Sequence, residues 1–99
     1  MLCTVVETPT FQKQAETLWS EDEHLDFIEW IASHPLAGDL IPGAEGARKV
    51  RWGRAGQGKS GGLRIIYFTL DEHKRIVLLT VYAKSQKTNM LPSAIRKGR

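Results

Sequence analysis

The stretch GRAGQGKS, residues Gly53 to Ser60, matches the pattern G-x-x-x-x-G-K-[ST] of a phosphate-binding loop. Such a loop binds nucleotide phosphates through backbone N–H groups that converge with the N-terminus of the following helix. Here two glycines and the run LRIIYFTL follow, and this β-branched and aromatic composition predicts a strand instead. A parallel crossover would also need more residues than this loop offers. We therefore predict no ATP binding and interpret the stretch as a connection between two strands.

Basic residues are concentrated around this connection. Residues 1–42 carry one basic and eight acidic side chains, whereas residues 43–99 carry thirteen basic and three acidic ones. A face that collects most of the lysines and arginines favours a polyanion such as nucleic acid. A solvated basic surface without such a partner is the alternative.

The strand pattern predicts which basic side chains share a face. Lys49 and Arg51 lie two residues apart in ARKVRW and point to one side of a strand, opposite Val50. Arg64 joins them if the register of the next strand allows it. Alternation then directs Tyr67 to the opposite face, and we predict that both Tyr67 and Tyr82 pack and do not act in chemistry. The expected sheet has helices on one side and a cationic surface on the other.

The remaining titratable residues offer no obvious catalytic site. If the polyanion is RNA, its cleavage without a metal would need a base for the ribose 2′-hydroxyl, stabilisation of the phosphorane and an acid for the 5′-oxygen. Each histidine lies in or beside a predicted helix or turn, so we assign structural or surface roles to His24, His34 and His73. The acids of the basic half are scattered among turns, so no metal site and no cofactor is predicted. Lysine and arginine remain, and neighbouring cations favour the neutral, basic form of a lysine.

Length and patterning indicate one domain. With 99 residues and 41% hydrophobic content the chain can bury one modest core. A short strand, CTVVE, precedes a helix with Thr8 as N-cap and Pro9 at its first position. Its apolar stripe runs to Trp19, and Ser20 with Glu23 forms the capping box of a second helix. The segment 36–46 is a predicted loop, and ARKVRW, LRIIYFTL and RIVLLTVYA are predicted strands.

Two expectations concern the ends of the chain. No signal peptide or apolar run of bilayer-spanning length is present in the sequence, so we expect a cytoplasmic protein without a membrane partner. Beyond Ser85 the hydrophobic pattern is weak, and it is compatible with either a short C-terminal helix or a frayed tail.

The run GARKVRWGRAGQGKSGGLRIIYF, followed by VLLTVYAKSQKTNM, resembles the RelE/ParE toxin superfamily and most closely its HigB-like branch. The resemblance covers nearly the whole chain, and the block RWxxxGxGKSGGxRxIY is its most specific part. It implies an α+β fold in the order β-α-α-β-β-β, with two N-terminal helices on one face of a small, mainly antiparallel four-stranded sheet. It also implies a toxin of a bacterial type II toxin–antitoxin module that cleaves mRNA on the ribosome.

The resemblance further implies the site and the partners. The family's catalytic surface consists of basic residues on the central strands and after the last strand. The candidates for catalysis are Arg51, Lys59, Arg64, Lys84 and Lys87, and those for RNA binding are Arg48, Lys49 and Arg54. The implied partners are the ribosome, mRNA and a cognate antitoxin, expected to be a small helix-turn-helix protein.

Two other functions remain open from the sequence. A ParE-type toxin shares this fold and blocks a topoisomerase without RNA chemistry. A non-enzymatic nucleic-acid-binding protein or a degenerate toxin would show the same division of charge.

Overall fold

The computed structural model describes residues 2–53, 62–70, 72 and 74–83. The elements are β1 (Thr4–Glu7), α1 (Pro9–Leu18), α2 (Glu21–Ser33), β2 (Asp39–Leu40), β3 (Arg48–Trp52), β4 (Leu63–Leu70) and β5 (Arg75–Ala83). The strands form one sheet of order β1-β5-β4-β3-β2, in which β1 runs parallel to β5 and the other neighbours are antiparallel. The predicted α+β class with a mainly antiparallel sheet is therefore confirmed.

The sheet contains one strand more than the four predicted. The additional strand, β2, lies within segment 36–46, which we predicted to be a loop, and it pairs with Arg48 and Lys49 of β3. Two residues cannot show a period-two pattern, so this strand exists only through its pairing with a distant segment. The predicted choice between a C-terminal helix and a frayed tail concerns residues outside those described.

Both helices begin where the sequence predicts. Thr8 caps α1 by accepting a hydrogen bond from the Phe11 N–H at 3.2 Å, and Pro9 occupies the first turn. Ser20 and Glu23 form the capping box of α2. Neither of these helices is long and apolar enough to cross a membrane.

The first helix ends one residue earlier than its apolar stripe predicts. Leu18 is its last residue, and Trp19 is already extended, with φ −150°. Only Trp19 and Ser20 separate the two helices, so the chain must leave helical geometry at Trp19 to turn. Its indole still packs against the main core, which explains why it fits the stripe.

The main core lies between the helices and one face of the sheet. It consists of Phe11 and Ala15 from α1, Phe27 and Ile31 from α2, and Val50, Ile65, Tyr67, Ile76, Leu78 and Val81 from the strands.

The opposite face carries a second apolar cluster, so the expectation of a cationic surface on that side is wrong in part. Ile66, Phe68 and Leu79 of β4 and β5 are buried there against Ala44 and Ala47 of the segment after β2. The difference has a physical reason, because the sequence predicts residues 36–46 only as a connecting loop and gives no packing role to segment 41–47. Its backbone instead turns over the sheet, where it closes with a hydrogen bond from the Ile41 N–H to the Ala47 carbonyl at 2.9 Å.

A β-bulge in β5 divides that strand into two halves. Ile66 is paired with Thr80 and the next β4 residue, Tyr67, with Leu78, so Leu79 has no partner of its own. Leu78 and Val81 both face the main core although they are three residues apart. The extra residue therefore reverses the alternation, and Tyr82 shares a face with Leu79 instead of Leu78.

Tyr67 fastens the chain between α2 and β2 to the sheet. Its ring is fully buried, and its hydroxyl donates to the Pro35 carbonyl at 2.9 Å and accepts from the Gly38 N–H at 3.0 Å. A Cβ at Gly38 would lie 2.9 Å from the Lys49 carbonyl oxygen, so the close approach requires glycine. Arg48 completes the junction by donating to the Gly38 carbonyl at 2.7 Å.

We expect Tyr67→Phe to lower the free energy of unfolding by about 1–3 kcal/mol, because it leaves a buried N–H and a carbonyl without their partner. Chemical denaturation measures this loss. Tyr82→Phe is the matched control, since the Tyr82 hydroxyl makes no hydrogen bond to another described residue, and it should leave stability nearly unchanged. Equal effects of the two substitutions would contradict this role of Tyr67.

The same phenol predicts a loss of stability in alkali. Burial raises the pKa of Tyr67 from 10.0, against smaller lowering effects of the Gly38 N–H and the Arg48 charge. A raised folded-state pKa gives stability that is fully present below the unfolded pKa and is lost as pH rises through the folded one. The chain has two tyrosines, so Tyr67 is the one that remains in the Tyr82→Phe variant. We expect its tyrosinate absorbance to develop at higher pH in folded than in denatured protein, and coincident titrations would refute the expectation.

Candidate functional site

Three strands terminate together at one end of the sheet. β3 ends at Trp52, β4 begins at Leu63 and β5 ends at Ala83, and the register pairs these three residues across the sheet. The connection from Gly53 to Gly62 and the chain that follows Ala83 therefore attach at the same end.

Two glycines close the connection between β3 and β4. Gly62 has φ +79°, and a Cβ there would overlap with the carbonyl oxygen of Trp52. A Cβ at Gly53 would lie 3.1 Å from the Gly62 Cα. The β4 strand then starts at Leu63, antiparallel to β3. A strand thus follows the glycine-rich block where a phosphate-binding loop requires a helix, which confirms that the block joins two strands.

Arg51, Arg64 and Tyr82 form a row across β3, β4 and β5, and we call it the arginine row. The register places Arg51 directly opposite Arg64, and Arg64 directly opposite Tyr82. Directly opposed residues share a face, with Cβ atoms about 4.5–5.5 Å apart. The sequence left the position of Arg64 to the register, and the structure places it on the face of Arg51, away from the helices.

The two guanidinium groups differ in their surroundings. Arg51 is exposed, whereas Arg64 is partly buried and donates to the carbonyl oxygen of Leu63 at 3.4 Å. Lys49 lies two residues before Arg51 on the same side of β3, opposite Ile66, and is exposed. Like charges directly opposite each other destabilise a sheet, so this arrangement suits an anion that binds between them.

Tyr82 is the member of the row that sequence reasoning missed. Its ring packs against the second apolar cluster, as the packing role predicted, but its register position also brings it beside Arg64. Alternation counted from Ile76 and Leu78 would place Tyr82 on the helix side. Only the bulge moves it to the other face, and the sequence carries no signal of that bulge.

Arg48 lies apart from the row. It alternates with Val50, which packs in the main core, and its guanidinium donates to the carbonyl of Gly38. The structure thus gives Arg48 a contact on the helix side and separates it from Lys49 and Arg51. The candidates Arg54, Lys59, Lys84 and Lys87 lie outside the described residues.

The described histidines also lie elsewhere. His24 pairs with Glu7 of β1 and stacks on Trp19, with ring centroids 5.3 Å apart. His34 stacks on Trp30 at 4.6 Å, and its Nδ1 lies 2.7 Å from the Trp30 carbonyl oxygen. Within the ranges that the structure describes, no three His, Cys, Asp or Glu side chains are grouped to hold a metal ion.

Solved structures with the same architecture identify the fold. The toxin–antitoxin complex RelBE2 from Mycobacterium tuberculosis matches with a TM-score of 0.61 and 23% identity, over 84% of this chain and 99% of that one. The free E. coli toxin RelE, with two arginines replaced by alanine, matches with a TM-score of 0.60 and 19% identity, over 82% of each chain. The chain has the RelE fold.

A third match is a second toxin–antitoxin complex. The intact E. coli RelBE toxin–antitoxin complex matches the RelE fold of this chain with a TM-score of 0.59 and 18% identity, over 86% of this chain and 99% of that one. No protein-family profile matches the sequence. The placement in the HigB-like branch stays a prediction.

The cross-strand pair of arginines predicts a stabilising substitution in this RelE fold. Arg51→Gln should raise the free energy of unfolding by roughly 0.2–1 kcal/mol at low salt, because it removes a like charge opposite Arg64. The gain should vanish at high salt, where surface charges are screened. Denaturation at two salt concentrations measures it, with Lys49→Gln as control because Lys49 faces Ile66. A lower stability of Arg51→Gln at low salt would contradict close charge repulsion.

Proposed function

We propose that this chain is the toxin of a type II toxin–antitoxin pair and that it cleaves mRNA on the ribosome. The RelE fold supports the first part, since the solved structures that share it are RelE toxins, free or bound to antitoxin. The single observation that carries the second part is the arginine row, with Arg51 and Arg64 side by side on the face of the sheet that points away from the helices.

The row suits phosphoryl chemistry for a geometric reason. A guanidinium is a planar fork that can bind two phosphate oxygens. Two arginines whose Cβ atoms lie about 5 Å apart on neighbouring strands can both reach one phosphate. In cleavage the ribose 2′-oxygen attacks the phosphorus, and negative charge grows on the equatorial oxygens. Arg51 and Arg64 would stabilise that charge as it develops, which accelerates the reaction.

The proton transfers need further groups. The 2′-hydroxyl must give its proton to a base, and a lysine can act as that base when neighbouring cations favour its neutral form. We propose Lys59, Lys84 or Lys87 for this step, because all three belong to segments that attach at the end of the sheet where the arginine row lies. Lys49 and Arg54 are proposed to bind the RNA backbone.

The proposed partners are the ribosome, mRNA and a cognate antitoxin, and the proposed place of action is the cytoplasm, where ribosomes are. The E. coli neighbour also occurs bound to a peptide of the antitoxin RelB. We propose that a small helix-turn-helix protein neutralises this chain.

Arg64→Ala and Arg64→Lys should both abolish growth inhibition. Loss of a contact made mainly in the transition state should slow cleavage by about 100-fold or more. Lysine should not restore the rate, because a point charge does not replace a planar fork. Single-turnover cleavage of mRNA on programmed ribosomes is the measurement, with thermal unfolding to show that each variant is folded.

Arg75→Ala is the matched control, because Arg75 is an exposed arginine at the opposite end of β5. It should cleave like the wild type. A folded Arg64→Ala protein that cuts within about threefold of wild type would remove Arg64 from the site. Mapping mRNA ends after brief induction tests the function itself, and discrete cuts are expected. DNA damage with intact mRNA would point to a topoisomerase as the target. If neither mRNA cuts nor DNA damage occurred, the result would contradict the proposal that the chain is a toxin.

A further inference from the structure

The hydroxyl of Tyr82 is a polar group of the arginine row that packing does not explain. The ring packs against the second apolar cluster, and a phenylalanine would pack there equally well. Within the described part of the chain the Tyr82 hydroxyl makes no hydrogen bond, whereas the Tyr67 hydroxyl makes two. The side chain remains partly exposed, so its polar end is available to a ligand of the row.

The row places this hydroxyl beside the phosphate-binding pair. Tyr82 lies directly opposite Arg64, which lies directly opposite Arg51. Neighbouring strands are about 4.8 Å apart, so the three side chains rise from the sheet at nearly equal intervals. The Tyr82 ring packs against the second apolar cluster, and this contact restricts its position. A phosphate that contacts both guanidinium groups therefore has the phenol at one end.

The three groups differ in the protons they can give. A guanidinium donates hydrogen bonds but does not release its proton in proteins, whereas a tyrosine hydroxyl normally carries a transferable proton at neutral pH. The leaving 5′-oxygen needs such a proton. Within the row as described, Tyr82 is the residue able to supply it.

We propose that Tyr82 is the general acid of the cleavage reaction, an inference that rests on the proposed function. The 2′-oxygen forms a bond to phosphorus after its proton has passed to the lysine base. The bond between phosphorus and the 5′-oxygen breaks, its electron pair stays on the 5′-oxygen, and that oxygen takes the Tyr82 proton. The products are a 2′,3′-cyclic phosphate and a 5′-hydroxyl. The tyrosinate left beside Arg64 recovers a proton from water.

The test is single-turnover cleavage by Tyr82→Phe on programmed ribosomes, with two RNA substrates. With ordinary RNA the variant should be about 100-fold slower than wild type or more, as expected for loss of an acid catalyst. With RNA that carries sulfur in place of the 5′-bridging oxygen, the leaving thiolate needs no proton, and the variant should cleave at nearly the wild-type rate. Thermal stability and ribosome binding should be unchanged.

Tyr67→Phe is the matched control, because it removes the other tyrosine hydroxyl of the chain. It should lose stability but keep the wild-type cleavage rate at temperatures where it is folded. A Tyr82→Phe rate within about threefold of wild type on ordinary RNA would overturn the proposal. An equal defect on both substrates would also overturn it, since the lost function would not be protonation of the leaving group. Absence of cleavage by the wild-type protein would instead refute the proposed function.

Discussion

The β-bulge at Leu79 is the constraint on which the arginine row depends, because it places Tyr82 on the same face of the sheet as Arg64. Two side chains hold it, one from the N-cap of α1 and one from α1 itself. Thr8 Oγ1 donates to the Leu78 carbonyl at 2.8 Å, and Gln14 Oε1 accepts from the Val81 N–H at 2.9 Å and the Thr80 hydroxyl at 2.7 Å. These bonds give partners to backbone groups of β5 at the point where its pairing with β1 ends. The first helix thereby fixes which side chains of the last strand accompany Arg64.

Alternation along β3 places two of its arginines on opposite faces of the sheet. Arg48 contacts the Gly38 carbonyl on the helix side and so belongs with Tyr67 to the junction that holds the chain before β2. Arg51, three residues later, lies on the opposite face across from Arg64. One arginine therefore anchors a loop on the helix side, and in the proposed function the other binds phosphate on the opposite side.

The arginine row departs from what stability alone would select. Like charges face each other across two strands, and a partly buried guanidinium occupies an otherwise apolar strand. Such departures from local consistency are expected at functional sites, where an anionic ligand offsets the repulsion. The second apolar cluster lies beside the row on the same face, and Tyr82 of the row packs against it.

The sequence by itself determined the elements that local chemistry specifies. The caps at Thr8 and Ser20, the strands LRIIYFTL and RIVLLTVYA, and the shared face of Lys49 and Arg51 follow from capping, β-propensity and period-two alternation. Only the tertiary structure decided the two-residue strand β2, the buried cluster under segment 41–47 and the position of Tyr82. Each depends on pairing or register between distant segments. The one unpaired residue, Leu79, moves the side chains that follow it to the other face of the sheet, and the local sequence pattern does not show this.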